Sequence, residues 1–107
     1  MNIIIDDIKD IVGSSGVLLG QDVSSRSDVW PATGGCQARA IIRPRNTAEI
    51  SAVLKLCHAA GQAVVSHGGL TGLVGGAKAG NKDIVLSLER MHSIEAVDTV
   101  NRSVLVE

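Results

Sequence analysis

The sequence of 107 residues is poor in aromatic residues and proline: it has one tryptophan, two prolines and no tyrosine or phenylalanine. A hydrophobic core must therefore be built from Ile, Val, Leu and Ala. Cysteine is also scarce, and the two present lack metal-ligand spacing, so we expect reduced thiols and leave a disulfide bridge open. We expect Cys57 to pack as a small apolar side chain and Cys36, which follows two glycines, to be exposed.

An excess of charge of one sign is absent as well. Ten basic and eleven acidic residues give a net charge of −1, which argues against nucleic acid or an anionic membrane as the main partner. No apolar run approaches the roughly 20 residues that span a bilayer, and no signal-peptide pattern opens the chain. We expect a single small domain in a cytoplasmic protein, with peripheral membrane association and homo-oligomer formation left open.

Several catalytic motifs are missing from the sequence. It has no Cys-x-x-Cys pair, no His-Glu-x-x-His and no serine elbow, so hydrolase and structural-zinc interpretations lack support. A G-x-G-x-x-G dinucleotide fingerprint occurs in no register. A Walker loop fails too, because the nearest match, residues 75–80, is followed by Asn81 and Lys82 rather than by Lys and Ser or Thr.

What the sequence does contain is a concentration of glycine after a short β-branched run. Residues 64–77 read VVSHGGLTGLVGGA and hold five of the twelve glycines; we call residues 68–77 the glycine loop. Such a loop can turn successive backbone N–H groups inward and form a concavity for an anion such as pyrophosphate. Thr71 would add a hydroxyl donor, and Lys78 is the one cation close by in sequence. The alternative is a flexible surface turn.

Periodicity predicts two main helices. Apolar residues at helical spacing favour a helix over residues 3–12, which Gly13 ends. A second helix is capped by Asn46 or Thr47, carries Glu49 in its first turn and ends at Gly61. The apolar face predicted for this second helix consists of Ile50, Val53, Leu54 and Cys57.

Apolar runs and alternation predict the strands, whereas residues 17–19 are too short to classify and residues 21–35 look irregular. Residues 38–66 form a β-α-β unit with parallel strands and a right-handed crossover, so the glycine loop leaves the carboxyl end of a parallel strand, a common place for ligands. The predicted strands are residues 38–43, 62–66, 82 or 83 to 87, and a hairpin of 94–98 and 103–106.

The glycine loop resembles the pyrophosphate loop of FAD-linked oxidases with a PCMH-type (vanillyl-alcohol oxidase-like) flavin domain, approximately V-V-P-x-G-G-x-T-G-L-x-G-G-A. It is most similar to the branch of D-lactate, glycolate and D-2-hydroxyglutarate dehydrogenases. Upstream, Arg43-Pro44, residues 47–50, residues 54–58 and Gly61 match the family; downstream, residues 84–88, Arg90-Met91 and Ile94 do so. Together these segments cover about two-thirds of the chain and are a specific signal.

The resemblance implies an α+β fold, namely a PCMH-type FAD-binding subdomain with a β-α-β unit and a mixed sheet. It implies an N-terminal lead-in over residues 1–36 and the first part of the FAD-binding domain over residues 37–107. It also implies FAD as cofactor and a flavin-dependent 2-hydroxy-acid dehydrogenase. The cofactor-binding residues carried over are Ser66, His67, Gly68, Gly69, Leu70, Thr71, Gly72, Leu73, Gly75 and Gly76.

Two departures from the family pattern matter. Ser66 replaces the usual proline, so φ is less restricted where the strand enters the loop. Leu70 stands where some distant relatives carry a histidine that bonds covalently to the flavin, so the resemblance implies non-covalent FAD. Asp28 with Trp30 resembles an aspartate next to an aromatic residue, which we expect to pack near the cofactor or to lie in a solvated loop.

The resemblance also implies a chain several times longer, with the residues for the small 2-hydroxy acid substrate in a missing C-terminal region. We therefore expect a fragment that is inactive alone, and no residue here is assigned to catalysis or to a metal. We expect His67 either to face the cofactor or to be solvated. We expect His58 to have a structural role in the last turn of its helix, where the helix dipole favours a positive charge. Two alternatives stay open: a stand-alone nucleotide- or phosphate-binding module, and a small α/β interaction domain without a ligand.

Overall fold

The computed structural model describes residues 3–29 and 34–107. Trp30, for which packing near a cofactor was predicted, lies outside the described residues. The helices are α1 (Ile3–Val12), α2 (Gln21–Ser24) and α3 (Thr47–Ala59), and a single 3-10 turn spans Ser14–Gly16. The strands are β1 (Val17–Leu18), β2 (Ala40–Ile42), β3 (Val64–His67), β4 (Ile84–Ser87), β5 (Ile94–Asp98) and β6 (Ser103–Val106).

A four-stranded mixed sheet with the order β1-β2-β4-β3 forms the centre of the molecule. β1 pairs antiparallel with β2, whereas β2 and β3 both run parallel to β4. The predicted β-α-β unit is present, but its two strands are not neighbours because β4 lies between them. The carboxyl ends of β2, β3 and β4 therefore meet at one edge of the sheet.

The two long helices cover one face of this sheet. Ile8 and Val12 from α1 and Val53 and Cys57 from α3 are buried against Ala40, Ile42, Ile84 and Leu86 from the sheet. Because side chains alternate along a strand, the neighbouring residues Ile41 and Val85 point to the other face. The prediction of both helices from apolar spacing is confirmed, with α1 covering residues 3–12 as expected.

The opposite face is covered without a long helix. Ile41 and Val85 pack there with Val23 from α2, with Cys36 and Ala38 from the segment before β2, and with Ala79 from the segment after the glycine loop. Cys36 is 2% exposed, so the expectation that it is exposed was wrong: the irregular segment folds back onto the sheet and covers the thiol. Both cysteines are free and buried.

Two further predictions need correction, and one segment that was left unclassified forms a strand. Leu54 is 42% exposed, because the face of α3 that meets the sheet passes through Val53 and Cys57, with the half-buried Leu56 beside them. Residues 21–35 are not irregular throughout, since they include the short helix α2. Residues 17–18, which were too short to classify, form the edge strand β1.

The predicted hairpin is formed by β5 and β6, and every residue in both strands is exposed. A β-bulge between Ile94 and Ala96 shifts the alternation in β5. The register pairs Ile94 with Val106 and Val97 with Val104, so these four apolar side chains share one face of the ribbon. No helix among the described residues is long and apolar enough to cross a membrane.

Candidate functional site

The glycine loop begins where β3 ends, at the carboxyl edge of the sheet. At Gly68, Gly69, Gly72, Gly75 and Gly76, a Cβ placed on the backbone would meet no other atom within 4 Å. Packing within the chain therefore does not require glycine at these positions. Glycine there leaves the main-chain N–H groups accessible to a bound group, which a side chain would obstruct.

Two residues of this loop have positive φ. Gly75 has φ 77°, a conformation that glycine adopts at no steric cost. Leu70 has φ 58°, which is uncommon for a residue with a branched side chain and costs on the order of 1 kcal/mol. Backbone strain of this kind tends to occur at ligand sites, and Leu70 is half-buried at the wall of the cavity described below.

The neck of the loop is closed by two side chains. His67 is 5% exposed, and its Nε2 lies 2.7 Å from the carbonyl oxygen of Ala77. Because a carbonyl only accepts, Nε2 carries a proton and donates it. Asp28, also buried, accepts from the Ala79 N–H at 3.1 Å. The solvated alternatives for His67 and for Asp28 are therefore wrong.

An open cavity of about 440 Å³ lies between the loop and the ends of β3 and β4. One side of it is formed by His67, Gly68 and Leu70, and the other by Ser87 and Glu89. Arg26 and Ser27, which follow α2, complete the wall. His67 and Ser87 are paired in the register of β3 and β4, which explains how the two strand ends reach the same cavity.

An ion-pair cluster sets the charge of this cavity. Arg26 binds Glu89 at 2.5 Å, and Arg43 lies 3.6 Å from the same carboxylate. The hydrogen bond from Arg26 lowers the pKa of Glu89 against the opposing effect of burial, and Ser87 Oγ also donates to it at 2.9 Å. Glu89 is therefore ionised at neutral pH, and because the Asp22 carboxylate also acts on Arg26, two carboxylates face the two guanidinium groups of this cluster.

Arg26, Ser27, Ser87 and Glu89 were not predicted as site residues. No motif indicates them, since Arg26 and Glu89 are 63 positions apart and meet only when the lead-in folds over the sheet. The prediction that Lys78 is the one nearby cation was incomplete for the same reason. Lys78 lines a separate small cavity of about 100 Å³ with Asp28 and Ala79.

The sequence-predicted residues are brought together only in part. His67, Gly68 and Leu70 line the cavity of about 440 Å³. Thr71, Leu73 and the remaining glycines of the loop are exposed to solvent. Ser66 is exposed on β3. Their assignment as cofactor ligands stays a prediction. His58 is exposed in the last turn of α3. Burial raises the pKa of the Cys36 and Cys57 thiols. Among the described residues, no group of His, Cys, Asp and Glu could hold a metal ion.

Comparisons with known proteins agree with this geometry. Residues 38–107 match the family model described as an FAD binding domain. A probable mitochondrial D-2-hydroxyglutarate dehydrogenase from Oryza sativa subsp. indica is 37% identical over 90% of this chain and 18% of its own length. A D-lactate dehydrogenase from Archaeoglobus fulgidus is 44% identical over 58% of this chain and 14% of its own. The chain thus spans less than a fifth of either relative.

Solved structures show the same fold. The crystal structure of p-cresol methylhydroxylase with substrate bound superposes with a TM-score of 0.70 at 14% identity, covering 91% of this chain and 20% of that protein. The α+β fold with a mixed sheet and the PCMH-type architecture are therefore confirmed. Since the family model covers more than half of the sequence, this chain belongs to the family of FAD-binding domains and has the fold of PCMH-type flavoproteins.

Proposed function

We propose that this chain is the first part of the FAD-binding domain of a flavin-dependent dehydrogenase that oxidises a small 2-hydroxy acid. The single observation that carries the proposal is the glycine loop: five glycines face open space at the carboxyl ends of the parallel strands β3 and β4, where packing does not require them. The names of the similar proteins support the substrate class, which is D-2-hydroxyglutarate or D-lactate, with glycolate as the third candidate.

The residues present fit an FAD molecule. Backbone N–H groups of Gly68, Gly69 and Gly72 suit the pyrophosphate, because N–H donors in a loop without side chains form an anion-binding concavity. Thr71 is exposed in the same loop and supplies a hydroxyl donor. The Arg26 guanidinium at the cavity wall adds a cationic donor for an anionic cofactor.

When bound, FAD supplies the chemistry by accepting a hydride from the substrate carbon that carries the hydroxyl group. The residues of this chain bind and orient. His67 and Asp28 hold the loop at its neck, so the loop presents its N–H groups without first having to become ordered. Leu70 has no nucleophilic atom, which supports non-covalent attachment.

The proposal includes the expectation that residues 1–107 alone do not oxidise substrate. It is supported by the small share of each relative that they span. Cytoplasmic localisation, homo-oligomer formation and the domain boundary between residues 36 and 37 stay predictions.

Anaerobic reduction tests the substrate class. The complete product of the reading frame that contains residues 1–107 is loaded with FAD and mixed with D-2-hydroxyglutarate, D-lactate or glycolate, and the oxidised flavin band is followed. We expect bleaching by at least one of the three acids and none by their L-enantiomers where these exist. A flavin-loaded protein that no 2-hydroxy acid reduces would contradict the proposed substrate class.

A further inference from the structure

An ion pair joins the lead-in segment to the turn after β4 at the wall of the cavity. Arg26 donates to Glu89 with both terminal nitrogens, at 2.5 and 3.2 Å, in the bidentate geometry that fixes the relative orientation of the two groups. Ser87 Oγ donates to the same carboxylate at 2.9 Å. Glu89 therefore connects Arg26, which follows α2, with Ser87 at the carboxyl end of β4.

We propose that Arg26 and Glu89 act as one positioning unit of the FAD site. Glu89 holds Arg26, and with it Ser27, opposite Gly68 and Leu70, so that the lead-in segment forms a wall of the cavity. This inference rests on the proposed function, because it assumes that the cavity belongs to the FAD site.

The other contacts of this part of the lead-in fix its backbone. Val23 is buried on the sheet, the carbonyl of Arg26 accepts from the Cys36 N–H at 2.6 Å, and the Asp28 carboxylate accepts from the Ala79 N–H at 3.1 Å. None of these contacts fixes the direction of the Arg26 side chain. The Arg26 guanidinium is directed by Glu89, which in turn is held by Ser87 and faces Arg43.

The Arg26 guanidinium also suits an anionic cofactor. A guanidinium has five N–H donors, and the pair with Glu89 uses two of them, so donors remain for a bound anion. Arg43 lies 3.6 Å from the same carboxylate, and Asp22 acts on Arg26 from the other side of the pair. Glu89 thus orients a guanidinium at the cavity wall.

The two side chains are 38% and 35% exposed, so the pair contributes little to global stability. Its loss should instead appear in cofactor affinity. The same experiment can therefore separate a positioning role from a merely structural one by comparing FAD affinity with the thermal midpoint of the apoprotein.

The test uses the complete product of the reading frame that contains residues 1–107. FAD dissociation constants are measured by flavin fluorescence for the wild type, Arg26→Gln, Glu89→Gln and the double variant with both changes. Lys82→Gln and Glu95→Gln are matched controls, because both are exposed charges that do not line the cavity. Thermal midpoints are recorded without FAD.

We expect each single neutral change to weaken FAD binding by about tenfold, and the double variant to be weakened by about the same factor because the residues act together. Thermal midpoints should stay unchanged in these variants, and both controls should bind FAD as the wild type does. If Glu89→Gln fails to fold, Glu89→Asp replaces it and should weaken binding less than Arg26→Gln does.

Independent, multiplying losses in the double variant would overturn the positioning unit, as would unchanged affinity in either single variant. Losses matched by a fall in the apoprotein midpoint would assign the pair a structural role instead. A wild-type protein that binds no FAD would overturn the proposed function itself, and that result is distinct from all of these.

Discussion

At the scale of single residues, Gly69 provides a test of the role proposed for the glycine loop. Gly69 does not have positive φ, and a Cβ there would touch nothing within 4 Å. A larger side chain is therefore compatible with the folded chain but occupies the space in front of the backbone N–H groups.

Replacing Gly69 by valine should abolish flavin binding in the complete gene product and leave the thermal midpoint of the apoprotein nearly unchanged. We expect at least about a hundredfold loss of FAD affinity, measured by flavin fluorescence titration. Gly34→Val is the matched control, because Gly34 also faces open space and lies outside the loop. Normal flavin stoichiometry in Gly69→Val would contradict the role given to the loop.

At the scale of elements, the start of α3 combines a cap with an ion pair. Asn46 accepts from the Glu49 N–H at 2.9 Å, and the Glu49 carboxylate accepts from the backbone and the guanidinium of Arg45. The side-chain bond from Arg45 is the main reason why the pKa of Glu49 lies below its ordinary value of 4.5.

This cap predicts a pH dependence. Because the pKa of Glu49 is lowered in the folded state, its contribution to the free energy of unfolding is present above about pH 4.5 and is lost as the pH falls through the lowered value. Glu49→Gln should therefore reduce the slope of the free energy of unfolding against pH in the acid range by an amount that corresponds to about one proton. Urea unfolding between pH 3 and 7 measures this slope. An unchanged slope would show that Glu49 is not linked to folding.

Removing the cap itself gives a second test of the same helix end. Asn46→Ala should lower the free energy of unfolding by about 1 kcal/mol at neutral pH, because the Glu49 N–H loses its acceptor. Asn46→Asp restores an acceptor and should return most of that stability. Equal stability of the alanine and aspartate variants would contradict the capping role.

Side-chain burial along α3 supplies a matched pair of substitutions. Val53 is fully buried against the sheet, whereas its neighbour Leu54 is 42% exposed. Val53→Ala should cost about 2 kcal/mol, and Leu54→Ala no more than about 0.5 kcal/mol, in chemical denaturation. Comparable losses at both positions would show that the helix meets the sheet through the face predicted from the sequence, which includes Leu54.

Element type was predictable from the sequence wherever local chemistry decides it. Gly13 and Asn46 mark the ends of α1 and α3 because glycine tolerates positive φ and asparagine accepts a main-chain N–H. Spacing alone could not tell whether Leu54 or Leu56 faces the sheet, since both lie beside the stripe formed by Val53 and Cys57. That choice depends on how α1 and the sheet are placed around the helix.

At the scale of the whole molecule, the order of the strands could not be predicted from local sequence patterns. β4 inserts between β2 and β3, and this order places the end of β4 beside that of β3. The lead-in then folds over the sheet and brings Arg26 to Glu89. The half of the site in the glycine loop was therefore predictable from the sequence, whereas the wall opposite it depends on tertiary contacts between distant segments.

The most direct test of non-covalent FAD binding combines the visible absorption spectrum and the intact mass of the complete gene product, purified from a flavin-replete host, with heat release of the cofactor. We expect oxidised-flavin bands, about one FAD per chain in the supernatant and a polypeptide of unmodified mass. A colourless, folded protein that also binds no added FAD would contradict it. In that case the stand-alone phosphate-binding module or the interaction domain without a ligand would have to take its place.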